Sequence, residues 1–216
     1  MHVSSSSQVA VDKDVLLDGR LALFHRRERW LVVADLHFGY ELSQRAAGNL
    51  FPLWGMQTIE KRLEELLREY NPTRVIILGD LVHDRAAAGE ATHLVKRLSS
   101  YCNILLIAGN HDYELSDIVD LVASWTTRRF HFHHGHCALD CPERIQIIGH
   151  YHPAGTITDG AGLRLKLPAF VQRKNCWILP AFSPWAGGTR EIDNGESCVW
   201  LCSPKRVFRL ENELTP

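Results

Sequence analysis

The stretch Arg74–Asp84 reads RVIILGDLVHD, and its first half decides the kind of fold the chain adopts. Val75, Ile76, Ile77 and Leu78 form a short apolar run, mostly β-branched, closed by Gly79. A run of that length with such a boundary is a buried strand. Asp80 follows at once, with His83 and Asp84 close behind. The same construction recurs along the chain. Trp30–Ala34 leads into Asp35 and His37, and Asn103–Gly109 into Asn110, His111 and Asp112. Phe130–His133 leads into His134 and His136, and Ile145–Gly149 into His150 and His152. Each strand-like run delivers metal-ligating side chains at its C-terminal end, the edge where open α/β sheets build their sites.

The segments between these runs supply the rest of the α/β pattern. Ile59, Leu63, Leu66, Leu67 and Tyr70 recur at helical spacing over Met56–Tyr70, and Asn71-Pro72 ends the helix. A strand, a helix and a strand form a βαβ unit, whose strands run parallel with a right-handed crossover. Ala86–Ser100 predicts a second helix and Ser116–Trp125 a third. Val15–Leu17 and Leu21–Phe24 flank Asp18-Gly19-Arg20 as a hairpin. Gly39–Gly55 reads as a long loop at the sheet edge, where long loops are usually functional. Residues 1–8, polar and of low complexity, are expected to fray. From Leu163 onward, Leu163–Phe170, Cys176–Phe182, Ser197–Ser203 and Arg206–Leu210 read as antiparallel strands of a second sheet.

Composition narrows the class. A chain of 216 residues with 45% hydrophobic and 23% charged residues is long enough for one sizeable core, so residues 1–216 are read as a single domain. The formal net charge of −1 creates no global field for nucleic acid or an acidic membrane, and any nucleic-acid role needs local basic patches. The 6 cysteines form no C-x-x-C pair, and Met1–Gln8 lacks both a basic and an apolar leader region. Reduced, mostly buried thiols in a cytoplasmic protein are expected, not zinc at the Cys137/Cys141 or Cys198/Cys202 spacings. No apolar stretch approaches the ~20 residues of a membrane-spanning helix.

The residue types at the strand ends specify the chemistry. Asp35 and His37 are two apart at a strand terminus and share a face. Asp80 has two carboxylate oxygens and can bridge two cations. Asn110 offers a neutral carbonyl, and His134, His150 and His152 offer imidazoles. Carboxylate, amide and imidazole without thiolate suit hard or borderline ions such as Mn, Fe or Zn. These ligands exceed the needs of one cation and suit two. A cation pair about 3.5–4 Å apart stabilises both the attacking and the leaving oxygen of a displacement at phosphorus. His111, beside Asn110 but outside the ligand set, is the candidate general acid for the leaving oxygen.

D-x-H at Asp35, G-D at Asp80, G-N-H-D at Asn110, H-G-H at His134 and G-H-x-H at His150, in this order, resemble the calcineurin-like metallophosphoesterase superfamily. The opening Leu17–Glu41, Gly79–Arg85, Gly149–Pro153 and Leu179–Gly188 resemble the SbcD-related branch, and within it the bacterial ligase-associated DNA-damage-response endonucleases. The resemblance implies a four-layer α/β/β/α sandwich with two mixed sheets and helices outside. It also implies Asp35, His37 and His152 on one metal, Asn110, His134 and His150 on the other, and Asp80 between. His111 matches the catalytic histidine, and His83 takes a supporting role beside it. The larger SbcD-type nucleases carry a further DNA-binding domain after the core, and its absence from this chain favours the ligase-associated subgroup. A manganese-dependent phosphodiesterase acting on DNA in repair is expected, with a DNA ligase or helicase as partner. The alternatives are a phosphatase or phosphodiesterase for a small nucleotide, and a non-catalytic scaffold of the same fold.

His136, Arg45 and Trp185 are candidate substrate contacts. His131 and His133 alternate within a strand and are expected to pack or hydrogen-bond. His93 is read as structural, and His2 and His25 as solvated. Phe51, Leu53 and Trp54 form either a stacking platform for a base or an apolar edge of the core, and packing is the favoured reading.

Overall fold

Two sheets carry the chain. The structure is a computed structural model, and it describes residues 6–137, 141–189 and 197–210. The first sheet places β1 (Gln8–Ala10), β2 (Val15–Asp18), β3 (Ala22–His25), β4 (Trp30–Ala34), β5 (Arg74–Leu78), β6 (Asn103–Ile107) and β7 (Leu121–Val122) side by side in chain order. Its first four strands form an antiparallel meander, and β4 to β7 run parallel. The second sheet has the order β15 (Arg206–Arg209), β14 (Cys198–Ser203), β12 (Arg164–Gln172), β13 (Cys176–Ile178), β10 (Ile145–Ile148), β9 (Phe130–His133) and β8 (Ser124–Thr126). Here β11 (Ala154–Thr158) pairs with β12, and β13, β10 and β9 are parallel among antiparallel neighbours. The arrangement is the expected α/β fold of two mixed sheets.

The described helices α1 (Tyr40–Ala46), α2 (Gly55–Tyr70) and α3 (Ala88–Ser99) fall between β4 and β6. α2 buries Ile59, Leu63, Leu66 and Leu67, the stripe its spacing requires, and ends at left-handed Asn71, whose N–H reaches the Leu67 carbonyl. Every residue of β4 is buried, as a strand covered on both faces demands. Trp30 of the first sheet meets Phe130 and Phe132 of the second edge-on at 5.5 and 5.1 Å. Each such pair contributes about 0.5–1.5 kcal/mol beyond its burial and fixes how the sheets face each other.

Several expectations are corrected. Ser116–Trp125 is not a helix. Leu121 and Val122 extend the first sheet beside β6, while Trp125 joins the second sheet, packs on Phe132 at 5.3 Å and lies under the Arg74 guanidinium. The segment completes one edge of each sheet, and those backbone pairings override its helix-like spacing. Gly39–Gly55 is not continuous loop, because α1 starts at left-handed Gly39. Residues 1–5 and His2 lie outside the described residues, but the chain from Ser6 is tied down: the Ser7 carbonyl accepts from Gly19 N and the Ser6 carbonyl from Val207 N. His25 is buried, with Trp30 at 4.7 Å, and its Nδ1 accepts from Glu28 N. His93 lies on the exposed face of α3. All 6 cysteines are free thiols, and Cys202 alone is buried.

Candidate metal centre and active site

The strand ends converge because the chain turns sharply where each strand stops. Among the described residues, positive φ angles outside glycine occur at Asp35 (53°), His37 (41°), Asp80 (48°), His150 (68°) and His152 (47°), and at three positions elsewhere. Such angles cost of order 1–2 kcal/mol each in an L-residue, and they cluster where a site over-determines the backbone. The turns also aim main-chain donors inward. His150 N–H reaches both Asp35 carboxylate oxygens at 3.1 and 3.0 Å, and His111 N–H reaches Asp80 Oδ1 at 3.0 Å. Two glycines permit this crowding. A Cβ at Gly79, where φ is +73°, would overlap the His134 ring, and one at Gly109 would overlap Asp80 N and Oδ1.

Two clusters result, each able to hold a cation: Asp35, His37 and His152, and Asp80, His134 and His150. In the first, His37 Nε2 lies 3.4 Å from His152 Nε2, which is 3.6 Å from Asp35 Oδ1. In the second, His134 Nε2 lies 3.5 Å from Asp80 Oδ2 and 3.2 Å from His150 Nδ1, with Asn110 Oδ1 at 3.1 Å. Asp80 Oδ2 is also 3.8 Å from His37 Nε2, so this one oxygen faces both clusters. The first sheet supplies Asp35, His37, Asp80 and Asn110, and the second supplies His134, His150 and His152.

Electrostatics agree with a cation-binding donor set. Burial brings the His37 imidazole down to about 3, so the ring is neutral at pH 7 and its lone pair is available. Burial alone would raise Asp80, but the hydrogen bond and charge of His134 outweigh it and hold the carboxyl at about 2. Burial likewise opposes a charge on His134, and Asp80 and Asp35 overcome it and raise the ring. His134 donates from Nδ1 to the Leu78 carbonyl at 2.9 Å, which fixes Nε2 as the atom aimed at the cluster.

The first cluster opens through His37 and His152 onto a cleft of about 200 Å³, lined also by Tyr40, His83, His111, Ser183, Trp185 and Ala186. His111 Nδ1 is held at 2.9 Å by the His83 carbonyl, leaving Nε2 to exchange a proton. The two rings stack at 4.9 Å, and burial, then the neighbouring His111, keep His83 low. Behind the 183–188 segment a cavity of about 350 Å³ shares His152, Ser183 and Ala186 with the cleft and holds Arg62 and Lys166.

The structure thus brings together Asp35, His37, Asp80, His83, Asn110, His111, His134, His150, His152 and Trp185. His136 is exposed at the rim, its ring 5.2 Å from that of His134. Arg45 is exposed in the last turn of α1 and does not line the cleft. His133 bonds Gln146 at 3.0 Å, as a packed strand residue should. Leu53 and Trp54 are not packed away as a core edge would be, being 44% and 45% exposed, while Phe51 is half-buried against Tyr40 and Trp185. Sequence reasoning missed Glu41, a fully buried carboxylate that accepts from Trp185 Nε1 at 3.0 Å and Met56 N at 2.8 Å. It also missed Asp112, which ties the Asn110 loop down through Gly109 N at 2.9 Å and Val82 N at 3.3 Å. The signal for Asp112 was its place in G-N-H-D, whereas Glu41 lay in a stretch read as loop.

No curated protein matches the chain. Among solved structures it is similar to the nuclease MPE of Pseudomonas putida, at 26% identity and a TM-score of 0.75, over 94% of this chain and 98% of that one. No described helix is long and apolar enough to cross a membrane. The family model for the calcineurin-like phosphoesterase matches residues 29–177, more than half of the chain and every cluster residue from Asp35 to His152. The chain therefore belongs to the calcineurin-like phosphoesterase family, a hydrolase acting on phosphoester bonds.

Proposed function

We propose that the chain is a phosphodiesterase that uses two divalent cations, preferentially manganese, to cut DNA internally during repair in the cytoplasm. The observation that carries this reading is Asp80 Oδ2, which lies 3.8 Å from His37 Nε2 of one donor cluster and 3.5 Å from His134 Nε2 of the other. Asp35, His37 and His152 would hold one cation and Asn110, His134 and His150 the other, with Asp80 shared. Bound cations would supply Lewis-acid stabilisation of the phosphate and ionisation of the attacking water near neutral pH. The chain's own residues do the rest. The main-chain N–H of His111 fixes Asp80, the His83 carbonyl fixes the His111 ring, and His111 Nε2 delivers the proton to the departing oxygen. His83 positions His111, and His136 and Trp185 flank the substrate.

The nucleic-acid substrate draws support from the resemblance to a nuclease and from the shape of the site. Asn110 is exposed, the His152 side chain is 24% exposed, and the cleft is smaller than the roughly 300–1,000 Å³ pockets that enclose small ligands. An open centre of this kind suits a polymer passing over it better than a free nucleotide. A DNA ligase or helicase as partner rests on the resemblance of the sequence alone. A scaffold role would leave the retained general acid without a task.

The test is hydrolysis of bis(p-nitrophenyl) phosphate against the p-nitrophenyl monoester by metal-stripped protein reloaded with Mn²⁺, with His111→Ala as control. Diester cleavage falling about 10²–10⁴-fold in the variant, with metal binding intact, is the expected result. Cleavage of the monoester alone would replace this reading by the nucleotide phosphatase. Equal activity in the variant would remove His111 from the mechanism.

A further inference from the structure

We infer that Phe51, Trp54 and Trp185, with Tyr40 beside them, form a subsite that holds a nucleobase next to the phosphate being cut. The inference rests on the phosphodiesterase reading above and adds the residues that recognise the base. An unbroken series of rings links the surface to the general acid. Trp54 lies 4.2 Å from Trp185, Trp185 4.8 Å from Phe51, and Phe51 5.6 Å from Tyr40. Tyr40 lies 4.8 Å from His83, and His83 4.9 Å from His111. Tyr40 and Trp185 line the same cleft as His37, His111 and His152. A phosphate at the histidines therefore has an aromatic wall within the reach of its own nucleoside.

The wall is built to stay open. Trp54 keeps 45% of its surface in water, which a ring recruited for core packing would not. Trp185 is fixed from behind by Glu41, whose other oxygen is held by Met56 N in the first turn of α2. Gly55 leaves room for that contact, since a Cβ there would overlap both the Trp185 indole nitrogen and the Glu41 carboxylate. Both oxygens of the Glu41 carboxylate behind Trp185 are thus engaged, and the side chains of the wall itself are uncharged and aromatic. Every nucleobase has a π-face that stacks on such rings, whereas the sugar and phosphate have none. The base must be unpaired to lie on them, so the subsite takes a nucleotide out of a strand and not a base pair.

The experiment uses Mn²⁺-loaded full-length protein and two oligomers of equal length. One is oligodeoxythymidylate, and in the other every nucleotide is the abasic tetrahydrofuran analogue. The wild type is expected to show a KM lower on the thymidylate by roughly 5- to 150-fold, the value of one stacked base. Trp54→Ala should raise KM on the thymidylate alone, with kcat and KM on the abasic oligomer unchanged, and Trp54→Phe should restore most of the difference. The tryptophan fluorescence of the wild type should be quenched by the thymidylate and not by the abasic oligomer. A wild type that treats both oligomers alike, or a Trp54→Ala variant that weakens both equally, overturns the subsite while leaving the phosphodiesterase standing. Failure to cut either oligomer overturns the nuclease reading and the subsite with it.

Discussion

A methyl group added at Gly109 has nowhere to go. Its Cβ would overlap Asp80 N and Asp80 Oδ1, both of which belong to the centre. Carbon sits comfortably about 3.5–4.0 Å from its neighbours, so the Gly109–Asp112 loop must retreat by on the order of an ångström. That loop contains the His111 N–H held at 3.0 Å by Asp80 Oδ1 and the Asn110 Oδ1 at 3.1 Å from His134 Nε2. Misplacing a reacting group by that much costs about 10²-fold in rate. Disturbing the support of a ligand costs about 10–100-fold in metal affinity, or about 1.4–2.8 kcal/mol. Gly109→Ala should therefore lose both, as read by calorimetric Mn²⁺ titration of metal-stripped protein and by diester turnover at saturating Mn²⁺. Gly89→Ala is the matched control. Its Cβ meets nothing within 4 Å in α3, and it should stabilise the fold by up to about 1 kcal/mol with metal binding unchanged. A folded Gly109→Ala protein with wild-type affinity and turnover would refute the view that this close approach positions Asp80 and His111.

Three further outcomes follow from other parts of the molecule. Asp18 is fully buried and accepts from Arg20 Nε, Nη2 and N at 2.9, 2.6 and 2.8 Å and from the Tyr70 hydroxyl at 2.6 Å. Asp18→Ala should cost about 3–5 kcal/mol in urea unfolding and Tyr70→Phe only about 1, and equal losses would contradict the shared network. Burial holds His25 below its ordinary 6.5. The unfolded chain thus takes up a proton that the folded one refuses, and this ring's contribution is complete above pH 6.5 and lost as pH falls below it. His25→Gln should flatten the fall in stability of the metal-free protein between pH 7 and 5, and an unaltered slope would exclude His25 as a source. Mn²⁺ at 100 times its dissociation constant should stabilise the fold by about 2.7 kcal/mol per site, and a melting temperature indifferent to chelator would argue against two bound cations.

The strand-end residues were legible because their chemistry follows directly on buried apolar runs, and a strand fixes where the next residue points. Asp80 needed no more than RVIIL before it to be placed at a sheet edge. The hairpin at Asp18–Leu21 and the α2 stripe were legible for the same local reasons. What failed depended on partners distant in sequence. Ser116–Trp125 has apolar spacing that suits a helix, and β6 and β9 draw it into strands. His25 sits among arginines and reads as solvated until Trp30 and Phe130 cover it. Glu41 falls in the stretch Gly39–Gly55 that reads as loop, and its contact with Trp185 spans 144 positions. Phe51 and Trp54 look like core residues, and what they pack on is Trp185, more than 130 positions away, with Trp54 left 45% exposed.

The division of the donor set between the sheets makes the centre a seam. Asp35 and His37 come from one sheet and His152 from the other, and Asp80 from one and His134 and His150 from the other. Neither half of the chain carries a complete triad, so cations at this place would clasp strand ends of both sheets, beside the direct main-chain bonds from Phe182 N to the Ala34 carbonyl and from Ser183 N to the Asp35 carbonyl. Two fragments divided at residue 123, between β7 and β8, would each carry only part of either triad. Their reassembly would be governed by the ion, and not only by the apolar faces they share.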